Sequence, residues 1–188
     1  MTSSSPALGE DREGGVGVAE SSADAADFNW VAPNLAVGAA FSAGAVAGLV
    51  DAGLRAVVDL RSEAHDDPEL LTRHGLAFLH LPADDLRPVS PAQLDEGVRF
   101  VLAQLADGSP VLVHCREGIG RSVTLMLAVL VAQGVEPLAA MSQIKDRRYY
   151  ASPSPSQFEA WVQWLDARGV PAPRFDAFAA IAYRHLAR

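Results

Sequence analysis

The chain has 188 residues, 49% of them hydrophobic, and a formal net charge of −8. That length carries one ordinary domain with a proper core. The acidic balance lacks the basic face that nucleic-acid binding requires, and no apolar stretch reaches the ~20 residues needed to cross a bilayer. Residues 1–27 hold six acids (Glu10, Asp11, Glu13, Glu20, Asp24, Asp27) against one base, Arg12, and few large apolar side chains. Ordering such a segment costs more than burial returns, so it is expected to be a disordered acidic tail. Its start, Met1 to Pro6, has neither the charged start nor the apolar core of a signal peptide.

Order is expected from Phe28 onwards, with a first short strand at Asn34–Gly38. Ala43 to Ala52 reads as a helix closed by Gly53. Leu54 to Leu60 is a central strand, Leu70 to His74 a short helix ended by Gly75, and Leu76 to Leu81 a strand stopped by Pro82. Ser90-Pro91 opens the next helix as N-cap and first residue, and Leu94, Val98, Val101, Leu102 and Leu105 then recur at helical spacing. Asp107 to Pro110 turns into an apolar run, Val111-Leu112-Val113, that reads as a buried parallel strand. Helices follow at Ser122–Gln133, at Pro137 to about Arg147 and, after the break Ser152-Pro153-Ser154-Pro155, at Ser156–Arg168. A terminal helix from Arg174 either packs on the domain or extends from it. Strands alternate with helices, which predicts an α/β fold: a single domain over 28–170, with a mostly parallel sheet flanked by helices, and a helical extension over 171–188.

The only cysteine, Cys115, follows the Val111–Val113 strand, and Arg121-Ser122 stands at the start of the next helix. Five residues separate Cys115 from Arg121: Arg116, Glu117, Gly118, Ile119 and Gly120. A strand, a glycine-bearing loop and a helix N-terminus form an anion cradle, because loop amides turn inward and the positive end of the helix dipole faces the bound anion. The thiolate is the nucleophilic form of cysteine, and a helix N-terminus with a nearby cation favours it. Arg121 presents a planar fork that holds two phosphate oxygens at once. Gly118 and Gly120 let the backbone approach the anion and adopt positive φ where needed. Ser122 is placed to hydrogen-bond the thiolate and aid its departure, and His114 to orient the loop. The arrangement suits cysteine-based phosphoryl transfer.

His114-Cys115 through Arg121-Ser122 resembles the signature loop of the protein tyrosine phosphatase superfamily, and its wording resembles most the small dual-specificity branch. Rhodanese-type sulfurtransferases have a similar loop that is usually one residue shorter. The resemblance covers about residues 28 to 168, including the step from Trp30-Val31-Ala32-Pro33 into the first strand and the segment Ser152 to Pro155. It implies a phosphatase-type fold, a phosphocysteine intermediate, phosphate binding by the loop from Arg116 to Arg121, and a phosphorylated protein or small phosphoester as substrate. It also implies a general acid, an aspartate about thirty residues before the cysteine on a loop after a strand. Asp85 fits that position and is favoured over its neighbour Asp84.

Secondary candidates lie in Asp59-Leu60-Arg61-Ser62-Glu63, at the end of a central strand. There Arg61 either contacts substrate or braces the cysteine loop, or pairs with Asp59 or Glu63 on the surface. Arg147-Arg148-Tyr149-Tyr150 reads as a solvated helix end with two half-buried rings, or as a reader of a substrate's charge or ring. His65, His74, His80 and His185 show no metal-ligand spacing, so neither metal nor other cofactor is expected. A lone cysteine fits a reducing, cytoplasmic compartment. Two alternatives stay open. One is an inositol phosphate or phosphoinositide phosphatase, since Asp59-Leu60-Arg61 resembles a strand end of some inositol-pyrophosphate phosphatases. The other is a phosphate-binding interaction module without turnover.

Overall fold

The structure, a computed structural model, describes residues 25–187. Most of the expected acidic tail, residues 1–24, lies outside the described residues. Five strands form one sheet: β1 (Phe28–Ala32), β2 (Leu35–Gly38), β3 (Ala56–Arg61), β4 (Ala77–Ala83) and β5 (Val111–His114), in the order β1-β2-β5-β3-β4. β1 pairs antiparallel with β2, and all other pairs are parallel. The helices are α1 (Val46–Asp51), α2 (Pro68–Arg73), α3 (Pro91–Ala106), α4 (Arg121–Ala132), α5 (Pro137–Arg147), α6 (Pro155–Asp166) and α7 (Phe175–Ala182). The chain is thus a single α/β domain with a mostly parallel sheet flanked by helices. No helix among the described residues is long and apolar enough to cross a membrane.

The period-two alternation of the strands divides the core into two clusters, one on each face of the sheet. Ala36, Val57 and Leu112 point to the smaller cluster with Val46, Leu49 and Leu71 from α1 and α2. Leu35, Val37, Ala56, Val58, Leu60, Val111 and Val113 point to the larger one, beneath α3 to α7. Every residue of α4 from Arg121 to Val131 is buried, so the helix is enclosed on all sides and its N-terminus is fixed in place.

Several expected boundaries shift for physical reasons. The predicted helix at Ala43–Ala52 opens as a 3₁₀ turn, Ala43–Ala45, before becoming α1. β1 went unrecognised as a strand, and it is joined to β2 by a turn with Asn34 at φ 61°. Pro82 does not stop β4: the strand runs on to Ala83, which is tolerated because β4 is an edge strand. α6 begins at Pro155, with Ser154 and Gln157 forming a capping box. The C-terminal helix is not an extension. Phe178 and Ala182 of α7 are fully buried, and Phe178 packs on Phe158 at 4.7 Å between ring centroids.

Gly97 lets α3 approach α4 and β4, because a Cβ there would stand 2.6 Å from Leu125 Cδ1 and 3.0 Å from Leu81 Cδ1. Gly97→Val is expected to destabilise the domain by about 1–3 kcal/mol through overpacking; a urea melt unshifted from wild type would show that α3 has room to move.

Candidate active site

The parallel strands bring their C-terminal ends to one edge, where ligands bind in open α/β sheets. Gly38, His114 and Asp59 lie in register across β2, β5 and β3. The segments that follow β5, β3 and β4 therefore converge, carrying Cys115, Glu63 and Asp85 to one place. A cavity of about 170 Å³ there is lined by Cys115, Glu117, Ile119, Gly120 and Arg121 from the loop, and faced by Asp85, Leu86, Ser152, Ser154 and Gln157.

The loop from Cys115 to Gly120 turns its carbonyl groups outward. Ala40 N–H donates to Arg116 O at 3.0 Å, Ser152 N–H to Ile119 O at 2.9 Å, and Thr124 N–H to Gly120 O at 2.8 Å. Arg148 serves two more, donating from Nε to Gly118 O at 2.6 Å and from Nη2 to Glu117 O at 2.9 Å. His114 Nδ1 lies 3.4 Å from Cys115 O. With the carbonyls engaged behind the loop, the amides from Arg116 to Arg121 have no acceptor among the described residues. A planar peptide that points its C=O away must point its N–H the opposite way, and here that is toward the cavity at the N-terminus of α4. Gly118 sits at φ 66°, and a side chain there would run into Gly38 O and Arg148. Gly120 keeps an ordinary φ of −116°, so the expected positive φ is needed at Gly118 alone. The bare Cα of Gly120 makes room instead for Gln157, whose Oε1 would stand 2.5 Å from a Cβ.

Cys115 is 3% exposed, and its Sγ lies 3.3 Å from Ser122 Oγ. Arg121 is almost wholly enclosed, and most of its donors can be counted. Nη1 donates to Glu63 Oε2 and to Ala83 O, both at 2.8 Å, and Nη2 donates to Glu63 Oε1 at 2.9 Å. Three of five N–H groups are thereby used. The Nε–H and the second Nη2–H remain, forming the side-on edge suited to two oxygens of one anion. Asp85 Oδ1 waits 3.2 Å from Nη2. Hydrogen bonds from Arg121, opposed by burial, hold the Glu63 carboxyl down at about 2. For Arg121, burial works against the charge, but the hydrogen bonds to Glu63 and the charge interactions with Cys115, Glu63 and Asp85 outweigh it and raise the guanidinium above its ordinary value.

A second, largely buried charged cluster stands behind the loop, with Asp59, Asp66 and His114 buried and Arg61 partly so. Arg61 bridges Asp59 (Nη2 to Oδ2, 2.8 Å) and Asp66 (Nη2 to Oδ1, 2.6 Å), and His114 Nε2 lies 2.8 Å from Asp66 Oδ2. Both ring nitrogens of His114 therefore face oxygens that only accept. Burial works to raise the Asp59 carboxyl, yet the hydrogen bonds from Arg61 and the charge of His114 bring it below its ordinary value. Asp59, Asp66 and His114 converge closely enough to suggest a metal site, but Arg61 already occupies the space between the carboxylates.

The expected residues are sorted accordingly. Cys115, Arg121, Asp85, Ile119, Gly120 and Glu117 meet at the cavity, with Ser122 and His114 directly behind the thiol. Asp84 does not join them, because Ser62 Oγ donates to its Oδ1 at 2.7 Å. Arg116 points into solvent and reaches only Glu117, at 3.4 Å. Arg61 pairs with Asp59, as one alternative held, but largely enclosed and not on the open surface. Arg148 is not solvated, and Tyr149 and Tyr150 are exposed instead of half-buried. Three residues were missed in their actual roles: Glu63, Asp66 and Arg148. Of these, Glu63 alone carried a signal, its place just after a central strand.

Residues 37–135 match the family model described as the DSP-PTPase phosphatase of polymorphic toxin systems. Human dual specificity phosphatase 28 is 31% identical over 143 residues, covering 73% of this chain and 79% of that protein. Dual specificity protein phosphatase 1B of Arabidopsis thaliana is 37% identical over 76 residues, or 37% of this chain. The chain spans only 46% of that plant protein and 39% of human dual specificity protein phosphatase 2. Among solved structures, that of PTPMT1 superposes with a TM-score of 0.69 at 27% identity, covering 76% of this chain and 98% of that one. Tk-PTP in its active form gives the same TM-score at 24% identity, over 74% of this chain and 97% of that one, a likeness of fold. With its signature loop folded at the sheet edge and a family match spanning more than half its length, the chain belongs to the dual-specificity branch of the protein tyrosine phosphatase superfamily.

Proposed function

We propose that the chain is a cysteine-dependent phosphomonoester hydrolase that removes phosphate from tyrosine, and secondarily from serine or threonine, in protein substrates. The observation that carries this reading is the hydrogen-bond count at the loop: inward amides without an acceptor among the described residues, a two-donor edge on Arg121 met only by Asp85 at 3.2 Å, and the Cys115 thiol beside them. A phosphate dianion meets those amides and that edge, and displaces Asp85 from Nη2. Cys115 Sγ attacks phosphorus in line with the ester oxygen. The S–P bond forms as the P–O bond breaks, and Asp85 gives its proton to the departing oxygen. Asp85 then takes a proton from water, the water oxygen attacks the phosphocysteine, and Ser122 Oγ steadies the thiolate that leaves. Arg121 and the amides match the charge spread over the three equatorial oxygens during each transfer.

Two features support a singly phosphorylated substrate over a polyphosphorylated one. The loop offers Glu117 and Ile119 where further phosphates would need cations, and Glu117 lines the cavity. The buried, lone thiol supports work in a reducing compartment, which we take to be the cytoplasm.

Hydrolysis of p-nitrophenyl phosphate with a chelator present tests the assignment. Cys115→Ser is expected to reduce turnover to background, Arg121→Lys to lower it on the order of 10²–10³-fold, and Asp85→Asn to lower kcat about 10²–10⁴-fold. Asp84→Asn should leave kcat within a few-fold of wild type, and an effect as large as that of Asp85→Asn would reassign the acid. A chelator-sensitive rate, or activity surviving Cys115→Ser, would overturn the reading.

Glu63 supplies a pH test. Its carboxyl falls from an ordinary 4.5 to about 2 in the folded protein. Its contribution to stability is therefore complete above pH 4.5 and lost as the pH drops through about 2. Glu63→Gln is expected to flatten that part of the acid denaturation profile. It should also lower kcat roughly ten- to a hundredfold, because the Arg121 edge is no longer aimed. An unchanged kcat would show that Ala83 O alone orients the guanidinium.

A further inference from the structure

Two further cavities continue the catalytic one across the surface. The first, about 400 Å³, shares Glu117 and Ile119 with the catalytic cavity and is walled by Arg147, Tyr149 and Tyr150. The second, about 410 Å³, shares Arg147 with the first and ends at Trp30 and Pro33. Together they form a track from Cys115 to Trp30. Six large apolar side chains are exposed among the described residues, and four of them, Leu86, Tyr149, Tyr150 and Trp30, lie along this track. Such concentration on one face marks a binding surface.

The aromatic part of the track is braced. Tyr149 and Tyr150 meet edge to face at 5.0 Å, and His185 packs its ring against both, at 5.8 and 5.9 Å. His185 Nδ1 in turn lies 2.7 Å from Lys145 Nζ, which donates to Ala151 O at 2.9 Å. Trp30 leans edge-on against Phe28 at 5.8 Å. Rings held in this way lose little freedom when a partner covers them. Leu86, at the mouth of the catalytic cavity, is 74% exposed and held at φ 60°, a conformation costly for a leucine.

The charges along the track are largely neutralised. Asp27 directs both carboxylate oxygens at Arg148, and Glu117 lies beside Arg116. Arg147, between the tyrosine pair and Trp30, has no ion-pair partner among the described residues. The surface thus runs from a phosphate site, over aromatic rings, to one unpaired cation.

We infer that this track binds the polypeptide flanking the phosphorylated residue, taking an aromatic or aliphatic side chain on Tyr149 and Tyr150 and an acidic side chain at Arg147. The inference rests on the phosphatase reading above and narrows its substrate to extended phosphotyrosyl peptides of that pattern. Continuity with the catalytic cavity fixes the occupant, since a chain leaving that cavity over Ile119 enters the track.

The test uses four phosphotyrosyl peptides alongside p-nitrophenyl phosphate: alanine flanks, an aromatic neighbour, an aromatic neighbour plus glutamate, and an aromatic neighbour plus arginine, each built toward either terminus. For one direction of the chain, kcat/KM is expected to rise at least tenfold from the alanine to the aromatic–glutamate peptide. Tyr149→Ala/Tyr150→Ala should lower the ratio of peptide to p-nitrophenyl phosphate kcat/KM at least fivefold, and Arg147→Glu should reverse the order of the glutamate and arginine peptides. Binding of the same peptides to Cys115→Ser protein, read by fluorescence anisotropy, separates docking from chemistry. Equal affinity for all four peptides, or variants that leave the ratios unmoved, would overturn the track. Absence of any wild-type turnover, with the peptide preference kept in binding, would instead overturn the phosphatase reading.

Discussion

The site depends on where six carbonyl groups point. A loop that follows a strand and enters a helix can present either the C=O or the N–H of each peptide to the space it encloses, and a single carbonyl turned inward would oppose an anion. In this protein the choice is made from outside the loop, by Ala40, Ser152, Thr124, His114 and above all Arg148. Each such bond is worth only about 0.5–1.5 kcal/mol net, but together they exclude the alternative peptide orientations. The cavity is preorganised because its rear wall is fully bonded, and the sheet edge, α4 and α5 are arranged so that those partners arrive.

The same logic governs the charged groups. Arg121 and the Asp59–Arg61–Asp66–His114 cluster lie where an unpaired charge would be very costly. Both are held by complementary partners, so the cost is met by geometry and not by neutralisation. The two clusters divide the labour spatially. Glu63 and Ala83 fix the direction of the Arg121 guanidinium, whereas Asp66, itself held by Arg61, fixes the histidine behind Cys115. Both partner residues, Glu63 and Asp66, come from the one connection after β3, so that connection serves as a buttress for the front and the rear of the site.

Much of this was legible in the sequence where a short-range pattern determines the outcome. The strand–loop–helix around Cys115 and Arg121, the capping residues of α3 and the apolar run of β5 are local facts, and they folded as read. Boundaries failed where tertiary position overrode local chemistry, as when Pro82 proved harmless on an edge strand. The partners of the loop were hidden for a different reason. Arg148 is a helix-end arginine like many others, and only its approach to Glu117 and Gly118 across thirty residues gives it a role. Asp66 sits among ordinary turn-forming acids, and nothing local distinguishes it from Asp67, which caps α2. Asp85 and Asp84 were separated in sequence by spacing alone; in the fold they are separated by the hydrogen bond from Ser62.

Asp27 gives the domain a start that its composition does not announce. By charge it belongs with the acidic segment before it, yet its backbone oxygen accepts from Ala39 and its carboxylate holds Arg148. The same guanidinium shapes the signature loop. A residue just ahead of the first described strand is thus one bond removed from the carbonyls that define the loop. A shortened version cut at the first strand residue, Phe28, would keep every element of secondary structure among the described residues and still leave the clamp on the loop without its counter-charge. The functional boundary of this domain therefore lies upstream of its first described strand.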